Sequence, residues 1–247
     1  MKIGVTGSKG FLGKNLVEKL KNNNHKVIEF IGDIKNFEDV SRLYGSCEQI
    51  IHLAGKNRGN DDELFLTNAL GAYNIYDCIK RFKIPTIVAS STYNKLSAYA
   101  RSKHLLDTLM RELHSDFRVI NYKMSNIVGC GCKPFYNSFI STLCYLEAKK
   151  ESYADLIKDL NERITLIDID TVTNDMIGCL EDDMSSVFYK HTSKGERWFS
   201  SKETINISFA EICEIFHSKE KSTNQNKGIF LKMIKEYEIN LKAQQEV

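Results

Sequence analysis

The sequence predicts an α/β fold: a doubly wound parallel sheet followed by a small C-terminal subdomain. Two observations carry this. Short β-branched and apolar runs alternate with longer stretches of helical spacing through the first half of the chain. Those short runs are apolar almost throughout, as strands covered on both faces are, rather than alternating.

Residues 3–5 form a first strand ending at Gly7, and Phe11, Leu12, Leu16, Val17 and Leu20 then recur at helical spacing up to the break at residues 21–24. Residues 27–31 read as a strand, 36–44 as a short helix, and 49–54 as a buried strand ending at Gly55. A helix over 61–82 leads through Pro85 into a strand at 86–90, and a helix over 97–113 leads into a strand at 117–122. Beyond Gly129 the alternation loosens into a helix over 134–148, a strand over 162–167 and a helix over 171–180. Residues 218–227 are polar and read as a loop, and 229–241 have helical spacing without much core to bind. Neither an internal repeat nor a low-complexity tract is present.

Lys and Arg number 34 against 32 Asp and Glu, so nothing in the net charge calls for a nucleic-acid or membrane-surface partner. Seven cysteines without a Cys-x-x-Cys fit free thiols in a reducing compartment. Met1 to Gly7 reaches glycine before a signal-peptide apolar region forms, and no run approaches the ~20 apolar residues of a membrane span. The expectation is a cytoplasmic protein.

Gly7, Gly10 and Gly13 stand at spacing three directly after the first strand, leading into Phe11 and Leu12 of the first helix. Such glycines give a tight turn, close approach of backbone to a pyrophosphate, and close packing of helix on strand, with the phosphate at the helix N-terminus. The G-x-x-G-x-x-G spacing, with Thr6 before it, resembles the extended short-chain dehydrogenase/reductase superfamily, a Rossmann-type fold, in its nucleotide-sugar-modifying branch. The likeness continues through His52-Leu53-Ala54-Gly55, where Leu53 and Ala54 would border the cofactor, and through Asn68.

Tyr99 and Lys103 share a helix face at i and i+4, so the ammonium is expected to lie near the phenol and lower its pKa for proton transfer. Tyr76/Lys80 and Tyr145/Lys149 repeat the spacing and read as ordinary helix surface. Position selects Tyr99, which follows a strand ending in the hydroxyl cluster Ser90-Ser91-Thr92 at the sheet edge where ligands of such folds bind. By alignment with the family, Thr92 is the catalytic hydroxyl, with Ser91 close behind. The resemblance implies hydride transfer between nicotinamide and a sugar carbon, with Tyr99 moving the proton, Lys103 holding the ribose and Thr92 orienting the carbonyl.

Tyr93-Asn94 stands where the family's dehydratases carry Asp-Glu, which argues against dehydration. Residues 52–58, 125–129, 132–138, 165–170 and 206–212 look like the reductase domain of capsular-polysaccharide enzymes acting on UDP-linked 2-acetamido-2,6-dideoxy-4-ketohexoses. By that match Asn126, Lys133, Tyr136 and Asn137 line the sugar-nucleotide site, with Arg58 near the reacting end. The implied organisation is one extended domain over 1–217, with about 1–128 binding the dinucleotide and 129–217 mainly binding substrate, then a polar loop and helix over 218–247. The capsular enzymes continue into a cupin domain, and this sequence stops before it, so a separate protein supplies that step or the chain only reduces.

Lys123 stands where many relatives have Arg, the segment between Thr92 and Tyr99 is short, and the stretch between the second and third strands is abbreviated. Asp33 therefore either ends the second strand or stands in for a third-strand acid. An acid there on the adenosine ribose favours NAD, whereas Lys9, Lys35 or Arg42 on a 2′-phosphate favours NADP; the resemblance leans to NADPH. His52 reads as a buried strand residue, and Cys130 and Cys132 fall short of a metal-ligand set, so no metal is expected. The resemblance also implies a homodimer through helices 61–82 and 97–113, for which Leu105, Leu106, Leu109 and Leu113 exceed the needs of one core face. NADPH-dependent reduction of a UDP-4-keto sugar is the leading expectation; an NAD-retaining 4-epimerase and a non-catalytic NADP-binding protein are the alternatives.

Overall fold

The computed structural model describes residues 1–92, 96–113, 116–136, 138–181, 192–193, 195–218 and 227–245. In chain order it begins with β1 (Lys2–Thr6), α1 (Phe11–Asn22), β2 (Lys26–Glu29), α2 (Phe37–Tyr44) and β3 (Gln49–His52). It continues through α3 (Asp61–Phe82), β4 (Thr86–Ser91), α4 (Ala98–Leu113) and β5 (Val119–Met124). Next come β6 (Asn126–Val128), α5 (Phe139–Lys149), β7 (Arg163–Asp168) and α6 (Ile169–Glu181). β8 (Thr192–Ser193) and β9 (Glu196–Trp198) precede β10 (Ile205–Ser208), α7 (Phe209–His217) and α8 (Lys227–Gln245). Two compact units result: Met1–Met124 with Thr173–Trp198, and Ser125–Val172 with Phe199–Val247.

The first unit holds the predicted parallel sheet, in the order β2-β1-β3-β4-β5-β9-β8, with only β8 antiparallel to its neighbour. Strand order reverses between β1 and β3, which opens a crevice at their C-terminal ends. Asn36 and Asn60 start α2 and α3 by accepting hydrogen bonds from first-turn N–H groups. Val40, Leu43, Ile75, Ile79, Leu106 and Met110 from α2, α3 and α4 form one apolar core with Ile50, Val88 and Val119 of the sheet. Because α1 steps from β1 in the opposite direction to α3 and α4, right-handed crossovers put α1 on the other face.

Strand β2 stops at Glu29, short of the expected residue 31. Ile31 is 89% exposed, and Gly32 has a φ of +153°, so the chain leaves the sheet before Asp33. Asp33 thus does not end the strand. It lies in a turn where its Oδ1 accepts from the Lys35 N–H at 2.9 Å.

In the second unit β6, β7 and β10 make a mixed sheet of order β10-β7-β6. Sequence spacing missed β6 and β10, which are too short to register a period. Helix α5 begins at Phe139 rather than Pro134: Phe135 has a φ of +58°, which a helix cannot accommodate, and Ser138 caps the true start. The C-terminal helix departs from expectation in the other direction, because Phe230, Met233, Ile234 and Tyr237 of α8 are all buried. Tyr237 packs edge-on against Tyr145 of α5 at 5.6 Å, and its hydroxyl meets both Ser141 Oγ and the Cys132 carbonyl. No helix among the described residues is long and apolar enough to cross a membrane.

Phe230 is fully buried and meets Phe216 of α7 edge-on at 6.4 Å. Phe230→Ala should therefore destabilise the protein by about 3–5 kcal/mol, as truncation of a buried aromatic does. Urea unfolding checks this, and a loss below about 1 kcal/mol would mean that α8 contributes little to the core.

Candidate active site

The glycine turn sits at the crevice. Gly7, with a φ of +71°, lies against the end of β3, where an added Cβ would come within 2.7 Å of the Ala54 nitrogen. At Gly13 an added Cβ would stand 2.1 Å from the Gly7 carbonyl oxygen, so α1 reaches the turn at a distance only glycine allows. Gly10 differs: its Cβ would meet only the Gly7 oxygen, at 3.2 Å, and its backbone is extended. The packing of the chain thus demands glycine at 7 and 13 and leaves 10 free to face a ligand. The first helical N–H groups, those of Phe11, Leu12 and Gly13, have no intrahelical partners, and no acidic residue lies in the first turn to repel an anion. This arrangement fits a dinucleotide pyrophosphate.

Thr6 fixes the other wall. Its Oγ1 accepts from the N–H groups of Leu53 at 3.2 Å and Ala54 at 3.1 Å, and lies 2.8 Å from His52 Nδ1. A hydroxyl has one proton to give, so it donates to Nδ1 and leaves the imidazole proton on Nε2. Burial, with the Lys103 charge a smaller cause, pushes His52 down to about 3, so the ring is neutral. His52 is the buried strand residue the sequence suggested.

Asn68 of α3 braces the loop that follows. Its Oδ1 accepts from the Lys56 N–H at 2.7 Å, and its Nδ2 donates to the Lys56 carbonyl at 2.8 Å and to Ser102 Oγ at 2.9 Å. A pocket beside it is lined by Ile34, His52, Ala54, Gly55, Asn68, Ser102 and Lys103.

Tyr99 and Lys103 share a face of α4 beside the end of β4. Ser91, not Thr92, is hydrogen-bonded to the Tyr99 hydroxyl. The Thr92 hydroxyl turns away and donates to the Met124 carbonyl at 3.3 Å. The expectation that Lys103 lowers the phenol's pKa is not met. Burial pushes Tyr99 up, and the Ser91 bond pulls it partly back. The Lys103 ammonium lies 5.9 Å from the Tyr99 ring centre and donates to the Ala89 carbonyl at 3.1 Å. Burial brings Lys103 itself down to about 8, against an upward pull from Asp107.

Of the residues matched to a sugar-nucleotide site, Arg58 is exposed in the loop after β3 of the first unit. Asn126, Lys133 and Tyr136 belong to the second unit and are exposed, the last two on the loop before α5. Asn137, and the Tyr93-Asn94 pair, lie outside the described residues. Sequence reading overlooked Asp107, a buried acid one turn beyond Lys103. The 99/103/107 spacing was its only signal, and an acid on a helix ordinarily reads as surface.

The chain matches UDP-2-acetamido-2,6-beta-L-arabino-hexul-4-ose reductase of Pseudomonas aeruginosa at 26% identity over 200 residues, 75% of this chain and 51% of the relative. It spans about half the length of the curated relatives it matches. Among solved structures, the capsular polysaccharide assembling protein CapF of Staphylococcus aureus superposes with a TM-score of 0.75 at 26% identity, covering 96% of this chain and 66% of that one. RMD of Pseudomonas aeruginosa, complexed with NADPH, superposes with a TM-score of 0.73 at 16% identity, covering 96% and 99%, which speaks to the fold alone. The model of the NAD dependent epimerase/dehydratase family matches residues 3–183, most of the chain, and with the glycine turn and the Tyr99–Lys103 pair in place the protein belongs to that family.

Proposed function

We propose that this chain reduces the 4-keto group of a UDP-linked 2-acetamido-2,6-dideoxy hexose, using NADPH, in the synthesis of a surface-polysaccharide sugar. The observation that carries the reading is the Tyr99 hydroxyl, bonded to Ser91 and sharing a helix face with the Lys103 ammonium, beside a turn that fits a pyrophosphate. The activity for which the Pseudomonas relative is named supports the substrate class.

A bound nicotinamide dinucleotide would supply the hydride. The chain does the rest. The backbone at Gly7, Gly10, Phe11, Leu12 and Gly13 holds the pyrophosphate, and Leu53 and Ala54 border the cofactor. Ser91 orients the carbonyl oxygen, and Tyr99, whose hydroxyl burial makes still more reluctant to ionise, delivers its proton as the alcohol forms. Lys103 holds the ribose. Within the second unit, Asn126, Lys133 and Tyr136 are the side chains for the sugar nucleotide. Asp33 is engaged by the Lys35 backbone at 2.9 Å and faces its ammonium at 3.5 Å. The lean to NADPH over NAD rests on the resemblance.

The same reading includes a homodimer through α3 and α4. Leu106 and Leu113, counted from the sequence as surplus, are buried in the core. The outward apolar stripe consists of Leu66, Leu70 and Tyr73 on α3, with Leu105 and Leu109 half-buried on α4. A twofold arrangement covers such a stripe with its own copy. Sedimentation at micromolar concentration should give twice the 28.3 kDa chain mass; material of 28.3 kDa alone would refute the dimer.

Gly10→Val should remain folded, since its side chain meets little of the protein, yet lose NADPH binding by calorimetry. Undiminished binding would remove the turn from the cofactor site.

With a panel of UDP-4-ketohexoses and NADPH absorbance as the readout, Tyr99→Phe should lower turnover by about 10²–10⁴-fold while NADPH stays bound. Ser91→Ala should cost more turnover than Thr92→Val, reversing the order that alignment suggests. A parental rate for Tyr99→Phe would favour a non-catalytic binding protein. NAD that remains bound through purification, without NADPH consumption, would favour a 4-epimerase.

A further inference from the structure

Asp107 lies one turn past Lys103 and two past Tyr99 on α4, and is only 8% exposed. A carboxylate in that position has to be compensated. Its Oδ1 accepts from Ser90 Oγ at 2.6 Å and from Asn121 Nδ2 at 2.9 Å. Its Oδ2 is paired with the ammonium of Lys123, which is 5% exposed. Lys123 also faces Glu196 at 3.8 Å, and Glu196 is held by Arg111 at 2.8 Å and by the Trp198 indole N–H at 3.0 Å.

Two side chains of α4 therefore grip successive residues of β4: Lys103 takes the Ala89 carbonyl and Asp107 takes the Ser90 hydroxyl. The next residue along the strand is Ser91, the partner of Tyr99. We propose that Asp107 is a positioning residue for the Ser91–Tyr99–Lys103 group, fixing α4 against the end of β4 and setting a carboxylate one helical turn from the Lys103 ammonium. Only the use made of the group rests on the reductase reading.

The titratable neighbours of Lys103 among the described residues are few. Its own helix brings Tyr99 and Asp107. Strand β3 brings His52, neutral through burial, and β5 brings Lys123, which reaches it by way of Asp107. Lys56 of the loop after β3 turns its ammonium to Glu63. Among the described residues Asp107 is thus the one acid that raises Lys103 against its burial. Neutralising it makes the ammonium give up its proton at lower pH. It also leaves Lys123 buried without its partner, a separate structural cost that the test has to remove.

The test uses the ligand-free chain labelled with ¹³C at lysine Cε, titrated by NMR, with the Lys103 signal assigned by its loss in K103R. Asp107→Asn paired with Lys123→Met removes both buried charges together, so the fold should be kept. Its Lys103 midpoint should fall by about one pH unit or more, whereas Lys123→Met alone should not lower it. In turnover, the alkaline limb of the pH profile should move down in parallel. An unchanged Lys103 midpoint in the double variant overturns the proposal. So does failure of the double variant to fold, because Asp107 would then act as a structural residue only. The titration needs neither sugar nor cofactor, so a chain that reduces no UDP-sugar would refute the proposed function and leave this coupling measurable.

Discussion

The contact between Gly13 and Gly7 governs the rest of the first unit. Helix α1 touches the turn before it so closely that even one methyl group would overlap a carbonyl oxygen. That contact sets where the helix starts, and so where its unpaired N–H groups point. It also holds the turn against the end of β3, where Gly7 meets Ala54 backbone to backbone. Thr6, the last residue of β1, completes the join by taking two N–H groups of the β3 exit and fixing the tautomer of His52. The crevice is therefore shaped by backbone and one hydroxyl, with few freely rotating groups.

On the far wall the structure uses polar contacts instead of glycines. Asn68, Ser102, Lys103, Asp107 and Ser90 bind α3 and α4 to the loops and strand ends beside them. Each is placed in or beside apolar core, where an unmet hydrogen bond would be costly. The arrangement holds α4 in one register on β4, since a helix sliding by one residue would break both grips at once.

Much of this was legible in the sequence because it is periodic or bound to glycine. Helix 61–82 ends where the spacing put it, because Asn60 caps one end and Pro85 follows the other. The glycine turn was legible because Gly7 and Gly13 stand where only glycine fits, with Gly10 at the same spacing between them. What escaped notice depends on contacts between residues distant in sequence. The choice between Ser91 and Thr92 turns on which hydroxyl Met124, on the neighbouring strand, draws away. The burial of α8 depends on Tyr145, Phe216 and Ser141, none of which lies near it in the chain. The left-handed turn at Phe135 gave no local warning, since aromatic residues are poor markers of positive φ.

The interleaving of the two units has a consequence for how the molecule is made and how it can change. Strand β9, which pairs in parallel with β5, lies in the segment Thr173–Trp198, and 48 residues of the other unit, Ser125–Val172, are spelled out before it. The edge of the large sheet therefore stays open during synthesis until that intervening stretch has emerged, and β5, buried along its whole length in the finished fold, must wait for its neighbour. The same threading means that neither unit is a contiguous cassette. Recombination that exchanges the second unit for a relative's has to cut the chain at three places, near residues 124, 172 and 198.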